Sequence, residues 1–369
     1  MTGGLAARAA VLREPGGELS VEEISLTEPG PTQVRVRMVA TGVCHSDLSL
    51  ANGTLRAQFP VVLGHEGAGT VVEVGSEVTD LDVGDSVVLN WSPPCRKCWF
   101  CRHGEPYLCE HAMDGAARPY GVLADGGPVY PGLSSAAFAT ETVVARAGCI
   151  PISVGAAPPD LPLELAALLG CAVLTGVGAV LNAACVQPGE SVLVVGLGGV
   201  GLCAVQGARL AGASAVIAVD PAPSKFELAR RFGATEVLEP SADLAKRVRA
   251  LTEGRGVDHA IECVGRADTI RAAWSSTRRG GHTTVVGMGS AKDTLSFNAL
   301  EIPHFGRSLA GCMYGSTDPE ADVPVLLDHY RAGRLDLEGL VTDRIGLADV
   351  GAAFDELRAG RGARSVVVF

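Results

Sequence analysis

The strand-like run Ser191-Val-Leu-Val-Val195 passes directly into the glycine turn Gly196-Leu-Gly198-Gly199-Val-Gly201, which opens a helical stretch ending near Leu210. This junction limits the fold more than any other feature of the chain. Glycines there permit a tight turn, let the backbone approach a pyrophosphate and let the helix pack on its strand, and the helix N-terminus favours an anion. A glycine-rich turn alone is a weak signal. Asp220 strengthens it: it ends the next strand about 20 residues on, where a carboxylate accepts both hydroxyls of an adenosine ribose. The same carboxylate repels a 2′-phosphate, and the following Pro221-Ala-Pro-Ser224 offers no arginine to receive one, so NAD is favoured over NADP. Lys225 reads either as a second ribose contact or as a solvated lysine at a helix start.

The same rhythm continues on both sides of Asp220. Candidate strands are 191–195, 215–219, 236–238, 257–263, 282–286 and 309–313, with helices between them at 223–232, 242–252 and 267–276. Short apolar strands alternating with helices predict a doubly wound parallel sheet covered on both faces. The first part reads differently. From about Arg8 to Gly148, short strands such as 34–38, 69–75 and 85–89 lie between turn clusters, which predicts a β-rich domain. At 369 residues the chain exceeds one core, and two domains are expected. The tail, with helices at 321–332 and 349–359 and a strand at 365–369, returns to the first of them. With 47% hydrophobic and 19% charged residues the chain is no disordered tract. Its net charge of −11 argues against nucleic acid and anionic lipid as partners. The N-terminus shows no secretory pattern and no apolar run spans a bilayer, so the expected location is cytoplasmic with no membrane role.

Eleven cysteines are an odd number, and four of them, Cys95, Cys98, Cys101 and Cys109, crowd one short stretch. That spacing fits a tetrahedral zinc with four sulfurs and no open position better than disulfides; a redox pair is the alternative, without a βαβ pattern nearby to support it. His103 and His111 flank the thiols and read as exposed loop residues. Cys44, His65 and Cys171 are dispersed. Spacing does not join them, and each alone reads more readily as a buried cysteine or a core histidine than as a ligand.

Together these motifs resemble the zinc-containing medium-chain alcohol dehydrogenases. The resemblance rests on Gly42 to Asp47, Gly64-His-Glu-Gly67, Val83-Gly-Asp-Ser-Val87, the four-cysteine lobe, Gly170-Cys171, the glycine turn with Asp220, and Gly311-Cys-Met-Tyr-Gly315, and so covers nearly the whole chain. It implies an α/β protein: a GroES-like β-barrel catalytic domain over 1–172 with a zinc lobe at 91–112, a Rossmann NAD-binding domain over 173–312, and a segment 313–369 returning to the first, in a homodimer or homotetramer. It implies two zinc ions per chain, one structural on the four cysteines and one catalytic on Cys44, His65 and Cys171 with Glu66 nearby. Asp47 would orient His65, and Ser46 would take the alcohol proton. His45 and Arg364 would face the cofactor pyrophosphate, and Thr175 and Val200 the nicotinamide. Leu55, Trp91, Phe138, Met288 and Met313 fall where the family lines an apolar substrate cleft.

One position departs from the family. Many members carry a histidine five residues after the first zinc ligand to finish the proton relay, and Ser49 stands there. The expected activity is NAD-linked oxidation of a primary, hydrophobic or aromatic alcohol to its aldehyde. The rival with the same chemistry is oxidation of a formaldehyde–thiol adduct, whose carboxylate would need cations lining the entrance, for which Arg56, Arg102 and Arg118 are the candidates; the element-poor stretch 110–135 is expected to border that entrance. A zinc-free reductase is opposed by the presence of Cys44, His65 and Cys171 together. A non-catalytic NAD(H) and zinc redox sensor would have little use for Ser46.

Overall fold

The structure, a computed structural model, describes residues 5–153 and 160–369; residues 1–4 and 154–159 of the expected first domain lie outside it. The chain forms two compact units, Met1–Cys171 with Asp318–Ala332 and Val341–Phe369, and Ala172–Thr317 with Gly333–Leu340. Of the tail, 313–317 and 333–340 thus belong with the second unit. All eleven cysteines are free thiols. No single helix among the described residues is long and apolar enough to cross a membrane.

The first unit combines a closed barrel with a seven-stranded sheet. The barrel comprises Leu5–Leu12, Leu19–Leu26, Gly121–Leu123, Pro128–Pro131 and Val61–Val62 around a core that includes Ala9, Val11, Leu63, Phe138 and Phe354. In the sheet, Gln33–Gly42 pairs antiparallel with Glu66–Val74, and their register sets Gly42 opposite Glu66. Alternation in Gln-Val-Arg-Val-Arg-Met buries Val34, Val36 and Met38 on one face. The C-terminal strand Arg364–Val368 joins the same sheet beside Gln33–Gly42. The end of one strand, the start of its neighbour and the start of the last strand therefore meet at one edge, which is where chemistry-bearing residues lie.

The second unit is a six-stranded parallel sheet in spatial order 236–238, 215–219, 191–195, 257–262, 277–285, 308–311. This is the strand order of a Rossmann fold, with its switch point beside Ser191–Val195. Val192, Leu193 and Val194 are fully buried, as a strand covered on both faces requires. The expected strand 309–313 is Ser308–Gly311, and the helix expected at 223–232 begins as a 3-10 turn over Pro223–Lys225 before Phe226–Phe232.

Asp258 ties the central strands together. It accepts from the Ser191 backbone N–H at 2.8 Å and hydroxyl at 2.7 Å, and pairs with Arg278 at 2.5 Å. Partial burial works to raise its pKa, but the Ser191 hydroxyl, Arg278 and the Ser191 amide overcome it and hold the carboxyl down at about 2. A depressed carboxyl contributes stability that is complete above its unfolded pKa and lost as pH falls through its folded one; here that is about 2 kcal/mol at pH 7, roughly half of it gone by pH 3. Urea unfolding of Asp258→Ala should show a deficit of this size at pH 7 that shrinks at pH 3; a deficit independent of pH would assign the loss to packing.

Candidate active site and metal centres

Cys44 and His65 meet because of strand pairing. Cys44 lies two residues past Gly42 and His65 one before Glu66, on strands whose ends face each other, while Cys171 follows Gly170, whose backbone packs on the Leu89 carbonyl. A Cβ on Gly42 would run into the Glu66 carboxylate, and one on Gly170 would stand 2.6 Å from the Leu89 oxygen. These two glycines let the strands close around the site. The ligand atoms of Cys44, His65, Glu66 and Cys171 all lie within 4.8 Å of one another, and all four residues are buried.

Asp47, in the first turn of the helix His45–Ala51 and fully buried, accepts from the Gly64 N–H at 2.9 Å and lies 3.0 Å from His65 Nδ1. A proton on Nδ1 leaves the Nε2 lone pair directed into the cluster, and Nε2 has no hydrogen-bond partner. Both Glu66 oxygens also lack hydrogen bonds; Arg364 Nη2 approaches one at 3.2 Å. Burial raises the Glu66 carboxyl to about 8 although Arg364 opposes the shift. A hydrogen bond from Cys171 lowers the Cys44 thiol against burial, with help from Arg364 and His65, and the same bond, together with burial, raises Cys171. Burial opposes a charge on His65, but Asp47 and the Cys44 sulfur raise its proton affinity. An orphaned imidazole nitrogen and two facing sulfurs in a sealed pocket are the donor set of a zinc site with one further position, and loading it releases protons. The residues present fit the ion.

The four-cysteine lobe is equally specific. Its sulfurs lie within 4.8 Å of one another, with Cys98 and Cys109 at 3.9 Å, close to the sulfur separation around a tetrahedral zinc. Backbone N–H groups of Cys95 and His111 point at Cys109 Sγ, and those of Lys97 and Cys98 at Cys95 Sγ, so the loop is wound to stabilise thiolates. His103 stacks on Trp99 and His111 pairs with Asp114; both are exposed and outside the ligand set. Arg96 anchors the lobe to Asp318 and Glu320 at the start of the helix Pro319–Arg331.

In the second unit Gly196 has φ +93, and a Cβ there would strike Val264. A Cβ on Gly201 would collide with the Gly196 carbonyl, so the turn and its helix Gly199–Leu210 admit only glycine at these points. Asp220 accepts from the Leu197 N–H at 2.7 Å and the Ala222 N–H at 2.9 Å, which aims the carboxylate beside the turn. Lys225 Nζ lies 3.3 Å from Asp220, its side chain largely buried, so it is not a solvated lysine. Thr175 is buried and Val200 half-buried on adjacent helices of this unit, Val200 being more open than a core residue. The turn Cys263-Val-Gly265 leans on Gly196 and escaped the sequence reading; its signal was the glycine itself, three residues past the strand Val257–Glu262, where the backbone takes φ +84.

Other expectations fare differently. Phe138, expected in the substrate cleft, is fully buried in the barrel core against Gly64 and Phe354, because its strand-flanking position turns the ring inward. Leu55 packs half-buried on the same core. Trp91 stands edge-on to the His65 ring with centroids 6.2 Å apart. Met288 is exposed and Met313 half-buried, both in the second unit. Arg364, expected at the pyrophosphate, is buried, donating Nη1 to the Val43 carbonyl and facing Glu66 with Nη2. His45 is exposed and Ser46 half-buried, its Oγ 3.9 Å from Cys44 Sγ. Ser49 is buried and its backbone carbonyl holds the Leu55 N–H, so it offers no exposed relay group.

Comparison with known proteins agrees with this geometry. The alcohol dehydrogenase GroES-like domain family matches residues 30–154 and the zinc-binding dehydrogenase family matches 199–331. An S-(hydroxymethyl)glutathione dehydrogenase of Escherichia coli is 38% identical over 98% of this chain and 99% of its own, and one from Synechocystis is equally similar. Among solved structures, benzyl alcohol dehydrogenase from Acinetobacter calcoaceticus is 30% identical with a TM-score of 0.90, covering 99% of both chains. The chain belongs to the zinc-containing medium-chain alcohol dehydrogenases. It is an oxidoreductase acting on a CH–OH group, with zinc and NAD as its cofactors.

Proposed function

We propose that the protein reversibly oxidises a primary, hydrophobic or aromatic alcohol to its aldehyde. The observation that carries this choice is the Trp91 indole set edge-on to His65, an apolar wall beside the buried cluster of Cys44, His65 and Cys171. Bound zinc supplies Lewis acidity that lowers the pKa of the substrate hydroxyl, and NAD supplies the acceptor for the carbinol hydride. Asp47 fixes the His65 tautomer so that Nε2 remains a ligand. Glu66 sits behind the ligands without being a permanent one, balanced by Arg364. Ser46 Oγ takes the proton released from the alcohol; since Ser49 is buried, that proton leaves by water, His45 or the nicotinamide ribose. Cys95, Cys98, Cys101 and Cys109 hold the second, structural zinc.

The glycine turn receives the pyrophosphate, and Asp220 with Lys225 the adenosine ribose. Asp220→Ala should raise the NAD Michaelis constant about tenfold or more, the scale of one charge-assisted hydrogen bond, and narrow the preference over NADP. Steady-state kinetics with both cofactors checks this, and an unaltered preference would remove Asp220 from the site. Location in the cytoplasm and assembly as a homodimer or homotetramer belong to the same reading; the exposed edge strand Ser308–Gly311, near the exposed Leu300 and Ile302, supports self-association.

Oxidation of S-hydroxymethylglutathione is the second reading, favoured by the 38% identity to dehydrogenases of that name and by Arg56, Arg102 and Arg118, which are exposed and have no acidic partner among the described residues. Comparing kcat/KM for benzyl alcohol, aliphatic alcohols and the glutathione adduct decides between them. A higher value for benzyl alcohol is expected; turnover of the adduct alone would establish the second reading.

A further inference from the structure

In the second unit, arginines and aromatic rings form a continuous ladder. Arg279 lies over the Phe305 ring at 5.6 Å, and Arg307 lies over the same ring at 4.6 Å and over Trp274 at 5.6 Å. Trp274 meets Phe297 with centroids 5.0 Å apart, and Arg271 covers Phe297 at 5.3 Å. Arg249 adds a further guanidinium, held by the Ser275 carbonyl. The acid within this group is Glu301, already bound by Arg271 at 2.7 Å and by the Trp274 N–H at 3.3 Å. Among the described residues Arg249, Arg279 and Arg307 have no acidic partner, whereas Arg35, Arg96 and Arg146 elsewhere are each closed by carboxylates.

Such crowding of like charge is costly locally, and it stands out in a chain of net charge −11. Burial and the neighbouring Arg249, despite Glu301, push the Arg307 guanidinium below its ordinary proton affinity. Arg271 keeps a buried Nη1 with no acceptor. The rings hold the Arg279 and Arg307 guanidiniums and the Ser275 carbonyl holds that of Arg249, so little side-chain freedom is left to lose when an anion arrives.

The position excludes the cofactor as that anion. Arg279 lies at the start of the strand Thr277–Val285 and Arg307 immediately before Ser308–Gly311, while the glycine turn follows the end of Ser191–Val195. These strands are parallel, so the ladder lies at the sheet end opposite the turn.

We propose that Arg249, Arg279 and Arg307 form an anion site for a phosphate group, borne by a phosphomonoester or present as free phosphate, separate from the cofactor's pyrophosphate site. Guanidinium forks bind phosphate oxygens in pairs, and the site's affinity should fall steeply with salt.

Calorimetric titration of the zinc-loaded, NAD-saturated enzyme at low ionic strength, with inorganic phosphate and with phenyl phosphate, tests this. Saturable binding is expected, weakened at least tenfold in Arg279→Gln with Arg307→Gln and measurably in Arg279→Gln alone, an exposed position that leaves the core untouched. Tighter binding of phenyl phosphate would identify a phosphomonoester as the source, and equal binding free phosphate. Absence of saturable binding, binding lost on saturating with NAD, or equal affinity in the variants would overturn the site. Sizing of the same samples keeps changes in assembly apart from changes in binding.

Discussion

A Cys44→Ser protein should fold and bind NAD, yet lose at least about a thousandfold in kcat/KM for its alcohol. The figure corresponds to about 4 kcal/mol of transition-state stabilisation, the order expected when Lewis acidity leaves a hydrolytic or redox site. Cys44 is buried, its sulfur faces Cys171, and the His65 Nε2 lone pair has no other partner, so removing one ligand dismantles the donor set without opening a large cavity. His65→Ala should behave alike but also strand Asp47, which would keep only its backbone partners, Gly64 and Cys44. Circular dichroism and NAD titration establish folding, metal analysis the loss of one zinc, and NADH formation the loss of turnover. Full turnover from a Cys44→Ser protein lacking that zinc would remove the metal from the chemistry.

The second large effect concerns stability. Cys98→Ser leaves three sulfurs for the structural zinc, in a lobe whose helix Trp99–Arg102 buries no residue of its own. With so little apolar burial, metal binding supplies most of the folding energy of residues 91–112. A loss of roughly 3 to 5 kcal/mol, equivalent to a melting temperature about 10 °C lower in a unit of this size, is expected. Zinc content should fall from two to one per chain, while kcat measured well below the melting temperature stays near the original. Arg96 leaves the lobe tethered to Asp318 and Glu320, and exposed pairs of this kind contribute only about 1 kcal/mol, too little to replace the metal. An unchanged melting temperature with one zinc lost would make the lobe's metal dispensable.

Much of this was legible in the sequence, for reasons that differ by element. Strands 191–195 and 215–219 lie where their apolar runs place them, since strands buried on both faces carry near-continuous hydrophobicity. The barrel strands Leu5–Leu12 and Leu19–Leu26 were not separable, because polar residues such as Arg8, Glu22 and Glu23 interrupt them wherever a side chain faces water. The four-cysteine lobe was legible because its ligands are neighbours in the chain. Cys44, His65 and Cys171 were joined by resemblance alone, since only the pairing of Gly42 with Glu66 and the packing of Gly170 on Leu89 bring them together. Phe138 and Arg364 show the limit. An aromatic ring between alanines and an arginine at the start of a strand look the same in sequence whether they face a cleft or a core, and here both turn inward.

Zinc-dependent alcohol oxidation is tested most directly by NADH formation from benzyl alcohol by the zinc-loaded protein, repeated after chelation has removed the catalytic zinc and again after zinc is restored. Turnover should stop with removal and return with zinc, in step with metal content. Turnover that continues undiminished after metal analysis shows the catalytic zinc gone would exclude zinc from the oxidation.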